Sequence, residues 1–228
     1  MARSPSAALA RLTAASLCAA LAVLAAACGS SQSATGTSKL APPTRISDAW
    51  PLTDRVVSQA AFPGFLLRQH PPVVSSAPAW AAVERSPVPS AETARLKALG
   101  FVSGIDEQLH GRFPLAAEVI SVAEQYRTIA AARAELVHQD RQLVDLRGAT
   151  MSTFPVGIPG ARGMRVAGNG SIGLNVLFSV GPYFYLVAAG YPSGARRGPT
   201  TTELDAAARS LYLALTGCAS QRSGSRAA

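Results

Sequence analysis

Residues 172–189 read IGLNVLFSVGPYFYLVAA, and their alternation decides the fold. Leu174, Val176, Phe178 and Val180 share one face of an extended chain, with Asn175, Leu177 and Ser179 on the other. Apolar residues on both faces predict a largely buried strand over Ile172–Val180. Gly181-Pro182 follows, and glycine first in a two-residue loop suits a type II′ hairpin. Tyr183–Ala189 therefore returns as an antiparallel strand. Just upstream, Gly168-Asn169-Gly170-Ser171-Ile172-Gly173 fits G-x-G-x-x-G, the fingerprint of a dinucleotide-binding turn. That turn must open a helix. Here the glycines lead into a strand, and Asn-Gly is the favoured pair of a type I′ turn. A second hairpin is predicted, and no nucleotide.

Outward from this hairpin pair, short strands are expected over Thr150–Val156 and Gly163–Ala167, and a helix before them from Thr128 to about Leu146. Ile129, Leu136 and Leu143 recur at heptad spacing beside Ala130, Val137 and Val144, which predicts an apolar stripe with Glu135, Gln139 and Gln142 outward. Before that helix, Phe101–Leu109 and Ala117–Gln125 read as two strands. Ser90 is expected to cap a helix over Ala91–Leu99, closed by Gly100. Trp50–Pro89 is rich in proline, with Phe62-Pro63-Gly64-Phe65 as an apolar turn and a short helix starting near Ser76. At the other end Thr200-x-x-Glu203 is a capping box opening a helix with Leu204, Ala207, Ala208, Leu211 and Leu215 on one face. The order α-β-β-α-β-β-β-β-α, with short connections, predicts an α+β domain. Its antiparallel, curved sheet of about six strands is packed by two amphipathic helices covering one side.

The first residues carry an address. Arg3 and Arg11 precede an apolar run, Leu12–Ala27, too short to span the roughly 30 Å hydrocarbon core of a bilayer and lacking a basic stop-transfer flank. Leu24-Ala25-Ala26-Ala27-Cys28 resembles the lipobox of bacterial lipoproteins. The resemblance implies cleavage between Ala27 and Cys28 and diacylglycerol on the Cys28 sulfur. Ala25 stands where that family favours leucine, and Ala25 with Ala27 also fits an ordinary signal peptidase, which would release a secreted domain. Residues 1–27 are thus read as signal peptide and residues 28–47, rich in Ser, Thr, Gly and Pro, as a lipidated cysteine with a tether reaching about 20 Å. A single domain spans 48–217, and 218–228 form a polar tail expected to be disordered. Cys18 leaves with the signal, so Cys218 is either a plain thiol or, without lipid, a partner for Cys28.

Of the whole chain 48% is apolar and 15% charged, enough to bury a core. Without Arg3 and Arg11 it holds 19 basic residues against 13 acidic ones. The excess is scattered, apart from Arg196-Arg197 and the tail, which argues against a nucleic-acid stripe. The second half resembles the small α+β domains of bacterial envelope lipoproteins, including the PsbP-like class, in the helix with Ala131–Leu136, the hairpin Ser171–Tyr185 and the closing helix. That resemblance implies a binding or accessory module without a catalytic centre.

Chemistry is sparse. His70, His110 and His138 have no second His or Cys at ligand spacing, so no metal and no cofactor is expected. No nucleophile elbow is present, Cys218 has no base near it in sequence, and Glu118 and Glu124 are too far apart on one strand for paired acid–base work. Tyr183, Tyr185 and Tyr191, followed by Arg196 and Arg197, are the candidate ligand-binding residues if the tyrosine face is open; otherwise the rings pack under the helices. The sequence thus points to a lipid-anchored, extracytoplasmic, non-catalytic module binding an envelope ligand or partner through that surface. An accessory subunit of an envelope complex, or a hydrolase assembled in space, are the alternatives.

Overall fold

The computed structural model describes residues 50–68, 72–112, 116–146, 148–195 and 197–217. The segments expected to be signal peptide, lipidated cysteine with tether, and polar tail, together with His70, Arg196 and Cys218, lie outside the described residues. Eleven elements follow in the order β1 (Phe65–Leu67), α1 (Ala77–Val83), α2 (Pro89–Leu99), β2 (Phe101–Gly111), β3 (Glu118–Tyr126), α3 (Ile129–Val144), β4 (Thr150–Thr153), β5 (Arg162–Gly168), β6 (Ser171–Val180), β7 (Tyr183–Pro192) and α4 (Thr201–Leu215). The strands form one open, curved antiparallel sheet in the order β1-β2-β3-β7-β6-β5-β4. The fold is α+β, as the order of elements predicts. The strand beyond the expected six is β1, which starts at the Phe62–Phe65 turn and pairs Phe65–Leu67 with Gly111–Leu109.

Turn chemistry explains the connections. Asn169 and Gly170 both have positive φ, 51° and 73°, as a type I′ turn requires, and join β5 to β6. Gly181 has φ 56° at the β6–β7 turn. Thr200 accepts from the Glu203 amide while the Glu203 carboxylate accepts from the Thr200 amide, a complete capping box for α4. Thr128 and Ser76 cap α3 and α1 in the same way from one side. At α2 the cap is Val88, with no side-chain bond, and Pro89 opens the helix rather than Ser90. Proline has no N–H to lose at that first position, so the boundary moves back. Among the described residues no helix is long and apolar enough to cross a membrane.

Register assigns the two faces. Val176, Phe178, Tyr185, Val187, Val119, Ala123 and Ile105 point to one side, where α4 and the segment of residues 50–65 cover them. Ile120, Val122, Glu124, Tyr126, Leu177, Phe184 and Leu186 point to the other, beneath α1, α2 and α3. The amphipathic helices α3 and α4 thus take opposite sides, correcting their expected placement together. The apolar residues on both faces of β3, β6 and β7 require that, since each face must be covered.

Helix α3 is also turned relative to its expected stripe. Ile129, Val137 and Val144 are exposed at 51, 45 and 57%. Leu136 and Leu143 still pack inward, beside Ala131 and Ala132. Glu135, expected outward, is 0% exposed. Two alanines in the contact let the helix sit close to the sheet, and a basic partner on α2 makes the burial of Glu135 tolerable.

Candidate functional site

The tyrosines of β7 stand on the α4 side of the sheet, and Phe184 on the other. Tyr185 is stacked on Phe178, 4.9 Å between ring centres, and its hydroxyl accepts from Arg55 at 3.3 Å. Burial comes first in pushing that hydroxyl up to about 12, and Arg55 acts against it. The same guanidinium lies 4.0 Å over the Tyr183 ring. Val57 donates to Ser121 Oγ at 3.0 Å, so the segment over these rings is tied to β3. Tyr191 is half-buried, and a Cβ on Gly198 would meet its ring at 2.6 Å. Arg197 is exposed. Of the two readings of the tyrosine face, open to a ligand or packed in the core, the second holds for Tyr183 and Tyr185, which lie buried under α4 and the 50–65 segment.

The other face holds what the sequence did not offer as a site. β3 carries Glu124 and Tyr126 two residues apart, on the same side of the sheet. The Tyr126 hydroxyl donates to Glu124 Oε2, and Trp80 of α1 donates its ring N–H to Glu124 Oε1 at 3.1 Å. Trp80 can reach that depth because Gly104 on β2 has no side chain; a Cβ there would meet the indole at 2.7 Å. On α3, Glu135 accepts from Arg95 of α2 through both terminal guanidinium nitrogens and from Gln139 at 2.8 Å. Arg95 also donates to Glu92, one turn earlier on its own helix. Glu84 follows α1, with Oε2 shut off from solvent and without a hydrogen-bond partner. One carboxylate oxygen from each of Glu84, Glu124 and Glu135 lies within 4.8 Å of the others. Of the described residues, these are the ones that could hold a metal ion.

Charge is badly balanced there. Four carboxylates, Glu84, Glu92, Glu124 and Glu135, face one guanidinium, and no basic side chain among the described residues pairs with Glu84 or Glu124. Burial, followed by the charge of Glu135, raises Glu124 to about 8. Burial raises Glu84 well above the ordinary carboxylate range, and Glu124, Glu135 and Glu92 add to it. Burial disfavours the charge on Arg95, but its bonds to Glu92 and Glu135 outweigh that and hold it cationic. His138, beside this group on α3, is lowered by burial and then by Arg95, and sits 2.7 Å from the Gln142 amide. His110 lies 3.6 Å from Glu118 at the far end of β3.

A pH dependence follows for protein in chelator. Glu124 has a folded pKa of about 8 against an ordinary 4.5, so the folded state holds a proton that the unfolded chain releases. Its contribution to stability is full below about pH 4.5 and is lost as pH rises through about 8. The slope approaches 1.4 kcal/mol per pH unit at most. Urea titrations at pH 5 to 9 should show the loss, and Glu124→Gln should flatten it; equal slopes in the two proteins would rule it out.

These positions define an α+β module with its polar chemistry locked inside. No family model and no curated protein sequence matches the chain. Its fold is similar to the crystal structure of the extracellular domain of PknH from Mycobacterium tuberculosis, with a TM-score of 0.51 and 11% identity over 77% of this chain and 98% of that one.

Proposed function

We propose that the chain is exported, held on the outer face of a cell membrane by lipid on Cys28, and displays a non-catalytic module that binds an envelope ligand or partner. The observation that carries the reading is the order of the first residues: two arginines, the apolar run Leu12–Ala27, then Cys28 ahead of a polar tether. The fold supports it, because a solved structure with a similar fold is an extracellular domain. The binding reading is supported by the site chemistry: among the described residues, His138 stands 2.7 Å from Gln142 and His110 lies 3.6 Å from Glu118, and neither is bonded to a serine or a cysteine.

Two or three acyl chains, at about 0.8 kcal/mol per buried methylene, hold such a protein durably. Cys28→Ser is expected to abolish lipid labelling and move the protein from the membrane to the soluble fraction. Fractionation of cells expressing both forms checks this, and unchanged membrane retention of the variant removes the anchor.

A further inference from the structure

We propose that Glu84, Glu124 and Glu135 form an interior site for one hard divalent cation of the calcium or manganese class. The site lies between the sheet and helices α1, α2 and α3. It is independent of the anchor, since it rests only on the folded domain.

Glutamates gathered by accident in a core would be expected to satisfy one another or a base. Here two are held in place and the third is left idle. Trp80 and Tyr126 fix both oxygens of Glu124, and Arg95 with Gln139 fixes Glu135. Such donors orient ligating carboxylates and leave lone pairs for an ion. Glu84 Oε2, out of contact with water, has no hydrogen-bond partner. A buried polar atom in that condition calls for a partner. Three oxygens no more than 4.8 Å apart can stand close to the 2.3–2.6 Å or so that calcium takes from its oxygen ligands.

Charge points the same way. Arg95 is engaged by Glu92 and Glu135 together, so it neutralises only one of those two carboxylates. With Glu84 and Glu124 ionised as well, three negative charges remain uncompensated. A divalent ion cancels two of them, and an all-oxygen donor set selects a hard one. The expectation of no metal rested on the spacing of histidine and cysteine, which such a site does not use. Half-buried Glu84, at the end of α1, is where an ion would enter.

The test uses the full chain, stripped with EDTA and titrated at pH 8 with calcium chloride or manganese chloride by calorimetry, beside thermal melts. One equivalent should bind, and Tm should rise by about 5 °C or more at a hundred times Kd. Glu84→Gln removes an unpartnered carboxylate and should fold, as far-UV circular dichroism will show, yet bind the ion at least tenfold more weakly. Glu124→Gln should do the same, while Glu203→Gln, at the remote cap of α4, binds normally. No heat and no Tm change in the wild type up to millimolar ion would mean that protons alone fill the site, which overturns the proposal. Undiminished binding by Glu84→Gln and Glu124→Gln would place the ion elsewhere and overturn it equally.

Discussion

Trp80→Ala is expected to cost about 3–5 kcal/mol, the range for removing a large aromatic from a core. Trp80 is 1% exposed, stacks on Phe101 at 5.8 Å and fills the space over Gly104. Its removal opens a cavity under α1 and takes one of two donors from the buried Glu124 carboxylate. A domain of ordinary stability, about 5–15 kcal/mol, would lose at least about a fifth of it. Urea unfolding followed by far-UV circular dichroism measures the change. The other tryptophan is the control: Trp50 is exposed, and Trp50→Ala should stay within about 0.5 kcal/mol. A loss below about 1 kcal/mol for Trp80→Ala would mean that α1 is not a structural part of the sheet's cover.

Arg95→Ala should be the other large effect. Breaking a buried ion pair leaves a charge without compensation and costs about 3–5 kcal/mol. Arg95 keeps 21% of its side chain in solvent whereas Glu135 keeps none, so the lower end of that range applies. The loss belongs to Glu135, and so Glu135→Gln in the Arg95→Ala background should restore part of it. A double-mutant cycle gives the coupling directly. Arg95→Lys should rescue poorly, because one ammonium cannot reproduce the guanidinium's simultaneous contacts with Glu92 and Glu135. Additive single and double effects would show that the pair is energetically unconnected.

Sequence pattern carried much of the architecture and little of the site, for a physical reason. Hairpins, caps and strand alternation are local, so Asn169-Gly170, Gly181-Pro182 and Thr200-x-x-Glu203 each announced their geometry within a few residues. Strand β1 did not, because three residues beside prolines carry no period. The placement of α3 misled for a related reason: Ile129, Val137 and Val144 are apolar but outward, while Ala131, Ala132 and Glu135 make the contact. Small residues give a weak hydropathy signal, and an acid buried against a base from another helix gives a false one. Glu84, Glu124 and Glu135 lie on three separate elements, and only the tertiary fold brings them together. Tyr183 and Tyr185 were visible as unusual, but whether their face stayed open depended on Arg55 and the segment around it.

Strand β3 borders β2 on one side and β7, the last strand in the chain, on the other. A polypeptide emerging N-terminus first from a ribosome therefore presents β3 with a raw edge until Tyr183 and its neighbours arrive. The early half can form its β2–β3 ribbon but cannot lock. This topology puts the closing of the central strands late in synthesis, when β7 arrives.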